Sequence, residues 1–257
     1  MAARRDDPDR RISRLASSFR DARRVVFLTG AGMSTESGIP DFRSSTGIYA
    51  SLTSAQIFDL AAFRQDPAPF FDFARTFFGE MRTAKPNAGH LAITRLQDEW
   101  AKHVTVATQN IDQLHQKAGT GTVLALHGTT EWCTCQGCGH QCRTDGLWPH
   151  VAAGTVPIHQ ACGGVFKPDI VFFGEMLPED ALFGAQAAIQ RADLLVICGT
   201  SLTVYPAAGL PAARREDCRL AIINRTPTPL DGHADFVFRE NIGETLSAVL
   251  EAMAAPD

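Results

Sequence analysis

Short apolar runs alternate with helical-period segments along most of this 257-residue chain, and that alternation restricts it to an α/β domain built on a mainly parallel sheet. RVVFLT (24–29), HVTVATQ (103–109), IVFF (170–173), DLLVICGT (193–200), RLAIIN (219–224) and ADFVF (234–238) read as strands, about six in all. Helical periods fall between them. RISRLASSFRDAR places Ile12, Leu15 and Phe19 on one face, and further helices are expected near 54–64, 68–82, 88–100, 178–191, 205–216 and 242–254. The second of these carries Phe70, Phe71, Phe73, Phe77 and Phe78, which suit a core or the cover of a cleft better than a cofactor box.

Residues 131–166 break the rhythm. CTCQGCGHQCRTDG and VPIHQACGG are rich in Cys, Gly, His and Gln and have little periodicity, so buried apolar area alone cannot order them. Five of the seven cysteines, Cys133, Cys135, Cys138, Cys142 and Cys162, lie there, which in a reducing compartment points to a metal and not to disulfides. Cys198 and Cys218 sit alone in apolar runs, where buried packing is the expected role. The expected organisation is one unit. A Rossmann-like body (12–130 and 167–254) carries a small inserted metal module (131–166), joined by helical segments from about 40–85.

Composition narrows the functions. No apolar stretch approaches the ~18 residues a membrane span needs, and MAARRDDPDRR leads into no secretory apolar segment, so the expected location is cytoplasmic with no membrane partner. The formal charge of −4 is dispersed, without the basic footprint of nucleic-acid binding.

Directly after the first strand stands GAGMSTESG, whose glycines at 30 and 32 would let backbone N–H groups approach a diphosphate, with a following helix N-terminus adding its dipole. Tight turns use the same residues. Five residues separate Gly32 from Gly38 where the dehydrogenase fingerprint has two, and no acidic strand end follows near residue 50, so hydride transfer is disfavoured. SGIPDFRSSTGIYA then places Pro40, Asp41, Phe42, Arg43 and Tyr49 in an irregular stretch that suits a ligand-covering lid or a plain connection. HVTVATQ delivers Gln109, Asn110 and Asp112 to a strand end, where open α/β sheets bind ligands, although Asn110 also suits the N-cap of a helix over 111–118. TVLALHG puts His127 at another strand end, where a lone histidine is usually structural.

GAGMSTESGIPDFR, TQNID, LHG, a CxxC with a later CGG, KPDIVFFGE, CGTSLTVYPAAGLP and INRTPTP occur in this order. Together they resemble the sirtuins, the NAD-dependent protein lysine deacylases, over roughly residues 12–250. The resemblance implies that the acyl-lysine amide oxygen attacks C1′ of the nicotinamide ribose and expels nicotinamide. His127 would be the general base in the following steps, which end in free lysine and O-acyl-ADP-ribose. General-base help of this kind contributes ~10²–10⁴-fold. Asn110 and Asp112 would position ribose and nicotinamide beside Gln109, with Ala31 and Ile39 lining the nicotinamide pocket. Phe42 would shield C1′, and Gly30, Gly32, Ser34 and Arg43 would hold phosphate and ribose, with Asp41 and Tyr49 nearby. Gly199, Thr200, Ser201, Asn224 and Arg225 match the segments that hold the adenosine half, with Ile242 near adenine. Val171, Phe172, Phe173 and Gly174, with the stretch around SLTVYP, resemble strands between which a peptide lies as an added β-strand, Val171 and Phe173 lining the acyl-lysine tunnel. Otherwise IVFF is an ordinary core strand.

Family members that prefer succinyl or malonyl groups carry a Tyr and an Arg three residues apart after the DP turn. Counted from Asp66-Pro67, those places hold Ala74 and Phe77, so neutral acyl groups are expected, acetyl first. The family's second metal pair is CxxC and here reads His159-x-x-Cys162, with twenty residues between it and Cys138. The favoured structural zinc set is Cys135, Cys138, His159 and Cys162; a set using Cys142, with Cys133 and His140 also close, and a metal-free module with a reactive thiol remain alternatives. The expected partners are acetyl-lysine proteins, and the expected state is a monomer. An ADP-ribosyltransferase, an NAD glycohydrolase and a silent NAD-binding regulator are the competing readings.

Overall fold

The computed structural model describes residues 8–41 and 54–255. Helix α1 (Pro8–Asp21) buries Leu15 and Phe19 and leads into β1 (Arg24–Thr29). Helices α2 (Ser54–Ile57), α3 (Leu60–Gln65), α4 (Ala68–Thr83) and α5 (Ala88–Asp98) precede β2 (His103–Thr108). The short α6 (Leu114–Lys117), β3 (Val123–Ala125), β4 (Gly128–Cys135), β5 (Gln141–Arg143), α7 (Thr144–Ala152) and β6 (Phe166–Ile170) follow. The chain continues through α8 (Glu179–Gln190), β7 (Leu194–Cys198), β8 (Arg219–Ile223), β9 (Phe236–Phe238) and α9 (Ile242–Ala254).

Six strands form a parallel sheet in the order β3-β2-β1-β7-β8-β9. One face packs on α1, α5 and α9 through Phe19, Phe27, Ile93, Val196 and Leu246; the other packs on α8 through Leu28, Ile189, Leu195 and Ile222. Both faces are covered, which is why the strands read as continuous apolar runs. From β1 the chain moves outward through β2 and β3, and the second half of the sheet grows from β1's other edge. β1 and β7 therefore flank a topological switch point, and loops leaving their carboxyl ends diverge around a crevice.

Two expectations about elements are corrected. The main sheet has the anticipated number of strands, but Val123–Ala125 takes the place assigned to IVFF. The run 166–170 instead pairs antiparallel with β4 in a second sheet, ordered β5-β4-β6, and residues 171–173 lead away from it. IVFF is apolar because Ile170 and Phe172 pack into a third core with Phe58, Phe63, Phe70, Phe71, Phe77 and Phe78 of α3, α4 and their approach, so burial under helices produced a pattern indistinguishable from a sheet strand. The helix expected at 205–216 is a 3-10 segment over Ala207–Ala213 with Pro211 inside it, since proline cannot donate into an α-helical ladder. Cys198 and Cys218 are buried, as packing residues should be.

Candidate active site and metal centre

The glycine-rich loop meets the end of β7 at main-chain contact distance. The Gly30 N–H donates to the Cys198 carbonyl (3.0 Å) and the Gly32 N–H to the Gly199 carbonyl (2.9 Å). A Cβ on Gly32 would lie 2.7 Å from the Gly199 Cα, and one on Gly199, whose φ is +63°, would lie 2.3 Å from the Met33 nitrogen. These glycines thus let two strand-end turns lie flat on each other, and the two amides expected to face a diphosphate are spent on that contact. The expected helix N-terminus is also replaced. Two 3-10 turns follow, Ala31–Met33 and Thr35–Ser37, ending at Gly38 in the left-handed region, so no long helix dipole points out of this loop.

The joined turns form one wall of a cleft of about 880 Å³ at the switch point. Of the sequence-derived residues, Gly30, Ala31, Gly32, Ile39, Asp41, Gln109, Asn110, His127, Val171, Phe172, Phe173, Gly174, Gly199, Thr200, Ser201, Asn224, Arg225 and Ile242 all line it. Phe42, Arg43 and Tyr49 lie outside the described residues.

Ser34 and Asp112 sit behind the lining, nearly inaccessible. The Ser34 hydroxyl donates to Asp112 Oδ2 (2.5 Å), and the Leu114 N–H donates to Asp112 Oδ1 (2.9 Å). Burial nevertheless raises the Asp112 carboxyl above its ordinary range, against the lowering effect of these bonds. Asn110 Nδ2 donates to the Gly30 carbonyl (3.0 Å) and lies 3.1 Å from Ser34 Oγ, tying the TQN segment to the glycine loop. Asn110 is not a helix cap. The helix is shorter than expected, beginning at Leu114 with Gln113 in the left-handed region before it, because the Asp112 side chain binds its first amide. Gln109 Nε2 reaches Thr200 Oγ1 (3.0 Å), joining the same segment to the β7 turn.

His127 stands half-buried at the end of β3, its Nδ1 3.0 Å from the Gln109 carbonyl oxygen. A carbonyl only accepts, so Nδ1 carries the proton and the neutral ring leaves Nε2 as its basic atom. Gly128 has φ +76°, and a Cβ there would lie 2.0 Å from the Asp169 carbonyl oxygen; glycine thus lets the chain turn from His127 straight into β4 against β6. The His127 carbonyl accepts from Val171, which brings the 171–174 segment beside the imidazole.

That segment is held from beneath. Lys167 is buried, and its Nζ donates to the Ile170 carbonyl (2.8 Å), pairs with Glu175 Oε2 (2.8 Å) and lies 4.3 Å from the Phe172 ring centroid. The Phe172 N–H donates to the same Glu175 oxygen and the Phe173 N–H to the Phe58 carbonyl. The amides of 171, 172, 173 and 175 are thus all engaged internally. Phe173 is 48% exposed and Tyr205 76%, on segments that both line the cleft. Sequence reasoning gave no role to Glu36, Phe58, Lys167 or Glu175. A lysine and a glutamate bracketing an apolar run was the available signal for the last two, while Glu36 reaches the Gly243 amide (3.2 Å) only through tertiary folding.

In the second sheet, the ligand atoms of Cys135, Cys138, His159 and Cys162 lie within 4.8 Å of one another. His159 Nδ1 is 3.2 Å from both Cys138 Sγ and Cys162 Sγ, and Cys135 Sγ is 3.4 Å from Cys162 Sγ. Bonds of ~2.3 Å to sulfur and ~2.1 Å to nitrogen set tetrahedral edges of roughly 3.5–3.8 Å, so this Cys₃His donor set fits one zinc ion. The His159 ring stacks on His140 at 4.8 Å and meets Phe166 edge-on. Cys142 and Cys133 are opposite one another on β5 and β4, outside this cluster; Cys133 contacts Thr144 Oγ1, and burial pushes its thiol up to about 12.

A parallel sheet with a cleft at its switch point, a tethered imidazole in that cleft and a four-donor metal cluster on an antiparallel annex define a zinc-supported nucleotide-binding α/β protein. Its relatives narrow this further. The Sir2 family pattern matches residues 30–206. An NAD-dependent protein deacetylase of Cutibacterium acnes is 43% identical over 245 residues, covering 93% of this chain and 97% of that one. A protein of the same description from Thermotoga maritima is 39% identical over 232 residues, covering 90% and 94%. A solved Sir2 structure with a deacetylated p53 peptide and 3′-O-acetyl-ADP-ribose has a TM-score of 0.88 at 38% identity, covering 93% of this chain and 97% of that one. Another, with a p53 peptide and NAD⁺, has a TM-score of 0.84 at 37% identity, covering 93% and 96%. This chain belongs to the Sir2 family.

Proposed function

We propose that this protein is an NAD-dependent protein lysine deacetylase that transfers the acyl group of an acyl-lysine side chain to ADP-ribose. The observation that carries the reading is the placement of His127, its Nδ1 bonded to Gln109, in the cleft that also holds Asn110 and the glycine-rich loop. NAD supplies the leaving nicotinamide and the ribose that accepts the acyl group. His127, through Nε2, removes the ribose hydroxyl proton, the task of an imidazole held in one tautomer. Asn110 and Asp112 orient ribose and nicotinamide, Asp112 acting from behind through Ser34 and the start of α6. Ala31 and Ile39 line the nicotinamide end, and Gly199, Thr200, Ser201, Asn224, Arg225 and Ile242 hold the adenosine end. Val171, Phe172, Phe173 and Gly174 receive the acyl-lysine.

Zinc bound by Cys135, Cys138, His159 and Cys162 is structural. The cluster contains all four of its protein donors, and a catalytic zinc site keeps an open position. We read the chain as one catalytic unit in which the second sheet serves as a metal-stapled module on the large parallel sheet. Ala74 and Phe77 are buried in the aromatic core and offer no cation, which supports neutral acyl groups over succinyl or malonyl. Among the described residues no helix is long and apolar enough to cross a membrane. We assign the protein to the cytoplasm as a monomer acting on acetylated proteins, without nucleic acid.

The test is a panel of acetyl-, propionyl- and succinyl-lysine peptides incubated with NAD and read by the mass of the nucleotide product. O-acetyl-ADP-ribose with free lysine is expected, with succinyl-peptide much the poorest substrate. ADP-ribosylated protein, or free ADP-ribose without deacylation, would replace the reading by one of a transferase or a glycohydrolase.

A further inference from the structure

Beneath the cleft floor, two histidines that the reaction does not use lie almost wholly buried, His90 on α5 at 0% exposure and His115 on α6 at 1%. Their ring centroids are 4.7 Å apart and the planes are inclined by 56°. Each ring ends a separate hydrogen-bond chain. His90 Nδ1 faces the Asn87 N–H (3.3 Å), and Asn87 Nδ2 in turn donates to the Met33 carbonyl (2.8 Å) and to Ser37 Oγ (3.1 Å), the two sides of the glycine-rich loop. His115 Nε2 lies 3.1 Å from Thr29 Oγ1, whose proton goes to Thr108 Oγ1 (2.8 Å), the acceptor of the Asn110 N–H (3.0 Å).

These contacts set both tautomers. His90 Nδ1 accepts an amide proton, so the neutral ring carries its own proton on Nε2. Thr29 has given its proton to Thr108, so it accepts from His115 Nε2–H, and His115 Nδ1 keeps a lone pair. The two ring nitrogens left over are His90 Nε2, a donor, and His115 Nδ1, an acceptor, and both are buried without a partner. Leaving a buried donor and acceptor unpaired costs about 1–3 kcal/mol each, and the two are chemically complementary, on rings whose centroids lie 4.7 Å apart.

We propose that His90 and His115 form a neutral imidazole pair, Nε2–H of His90 donating to one buried water that in turn donates to Nδ1 of His115, and that this pair is a positioning device holding the glycine-rich loop and Asn110 in register across the NAD cleft. The pair closes a single path, Met33–Asn87–His90–His115–Thr29–Thr108–Asn110, linking two cleft walls that come from distant parts of the chain. Burial keeps both rings uncharged at neutral pH, which preserves the donor–acceptor match.

The proposal rests on the deacetylase reading, and its first test needs no turnover. Nitrogen-15 correlation spectra of histidine-labelled wild-type protein at pH 7.5 should show both buried rings protonated at Nε2; either ring protonated at Nδ1 overturns the pair. The second is a cycle of His90→Phe, His115→Phe and the double variant, assayed with NAD and an acetyl-lysine peptide. Each single change should raise the KM for NAD about tenfold, about 1.4 kcal/mol of lost positioning, with the peptide KM unchanged within about twofold. The double variant should be no worse than the weaker single. Effects that multiply, or that move the peptide KM equally, would reduce the rings to ordinary packing. If the variants do not fold, the tautomers decide. An inactive wild-type enzyme would instead count against the deacetylase reading and leave the tautomer result standing.

Discussion

The imidazole of His127 is bound through Nδ1 to the main-chain carbonyl of Gln109, 3.0 Å away, so the residue that precedes Asn110 also selects which nitrogen of His127 is basic. A side chain could be lost from position 109 without losing this tether, because the acceptor is backbone. The TQN strand end and the LHG strand end are thus coupled at the main chain, and β2 and β3 being neighbours in the sheet is what brings them together.

His127→Ala should remove the general base while leaving the cleft walls intact. The expected result is a fall in kcat of ~10²–10⁴-fold with NAD affinity within a few-fold of wild type, measured by nicotinamide release and by calorimetric NAD titration. Unchanged turnover would take His127 out of the chemistry.

Gly199→Ala tests the crossing of the two turns. A left-handed residue with a Cβ 2.3 Å from the Met33 nitrogen cannot be accommodated without moving the glycine loop, so a loss of at least ~2 kcal/mol is expected together with weaker NAD binding. Gly146→Ala, exposed in α7 with nothing within 4 Å of the added carbon, is the control and should lose no stability, gaining up to about 1 kcal/mol from helix propensity. Denaturant unfolding of the two variants checks the contrast.

Metal analysis should find one zinc per chain. Cys138→Ser and His159→Ala should each lose it, whereas Cys142→Ser should retain it, because Cys142 is outside the four-donor cluster. Removing the ion should also suppress turnover without touching the cleft, since β4 begins at Gly128, next to His127, and its order depends on the metal-held turns. Retention of zinc in the His159 variant would reassign the fourth ligand.

The buried histidines make stability depend on acid. Burial lowers His90 to about 4 and His115 to about 3, with His90 adding to the effect on His115. Above about pH 6.5 neither the folded nor the unfolded chain protonates these rings, so their contribution is flat. Below that value the unfolded chain takes up two protons that the folded chain refuses, and stability should fall by about 1.4 kcal/mol per pH unit for each ring until the folded values are approached. Unfolding midpoints between pH 7.5 and 5 would show it, and His115→Phe should reduce the slope by one proton's worth. A profile identical in wild type and variant would assign the acid sensitivity to other groups.

Much of this molecule is legible along the chain. The strands at 24–29, 103–108, 194–198, 219–223 and 236–238, the Phe-rich α4 and the long α9 follow from local period, because a side chain's face repeats at fixed spacing whatever its neighbours are. The residues of the cleft were equally accessible through their motifs, and nearly all of those described do line it. Less legible was the membership of IVFF, since burial beneath aromatic helices and burial within a sheet select the same residues.

Residue type along the chain thus carried the periodic elements, the motifs that resemble one family and the two short-spaced donor pairs, whereas the fold brought those pairs together and left Cys133 and Cys142 outside the cluster. Tertiary structure alone decided that the Gly30 and Gly32 amides face the β7 turn and not a ligand, that Asn110 holds the Gly30 carbonyl and caps no helix, and that His90 meets His115. Each of those is a contact between strand ends or helices far apart in the chain, set by the order in which the parallel strands cross, and no local pattern records that order.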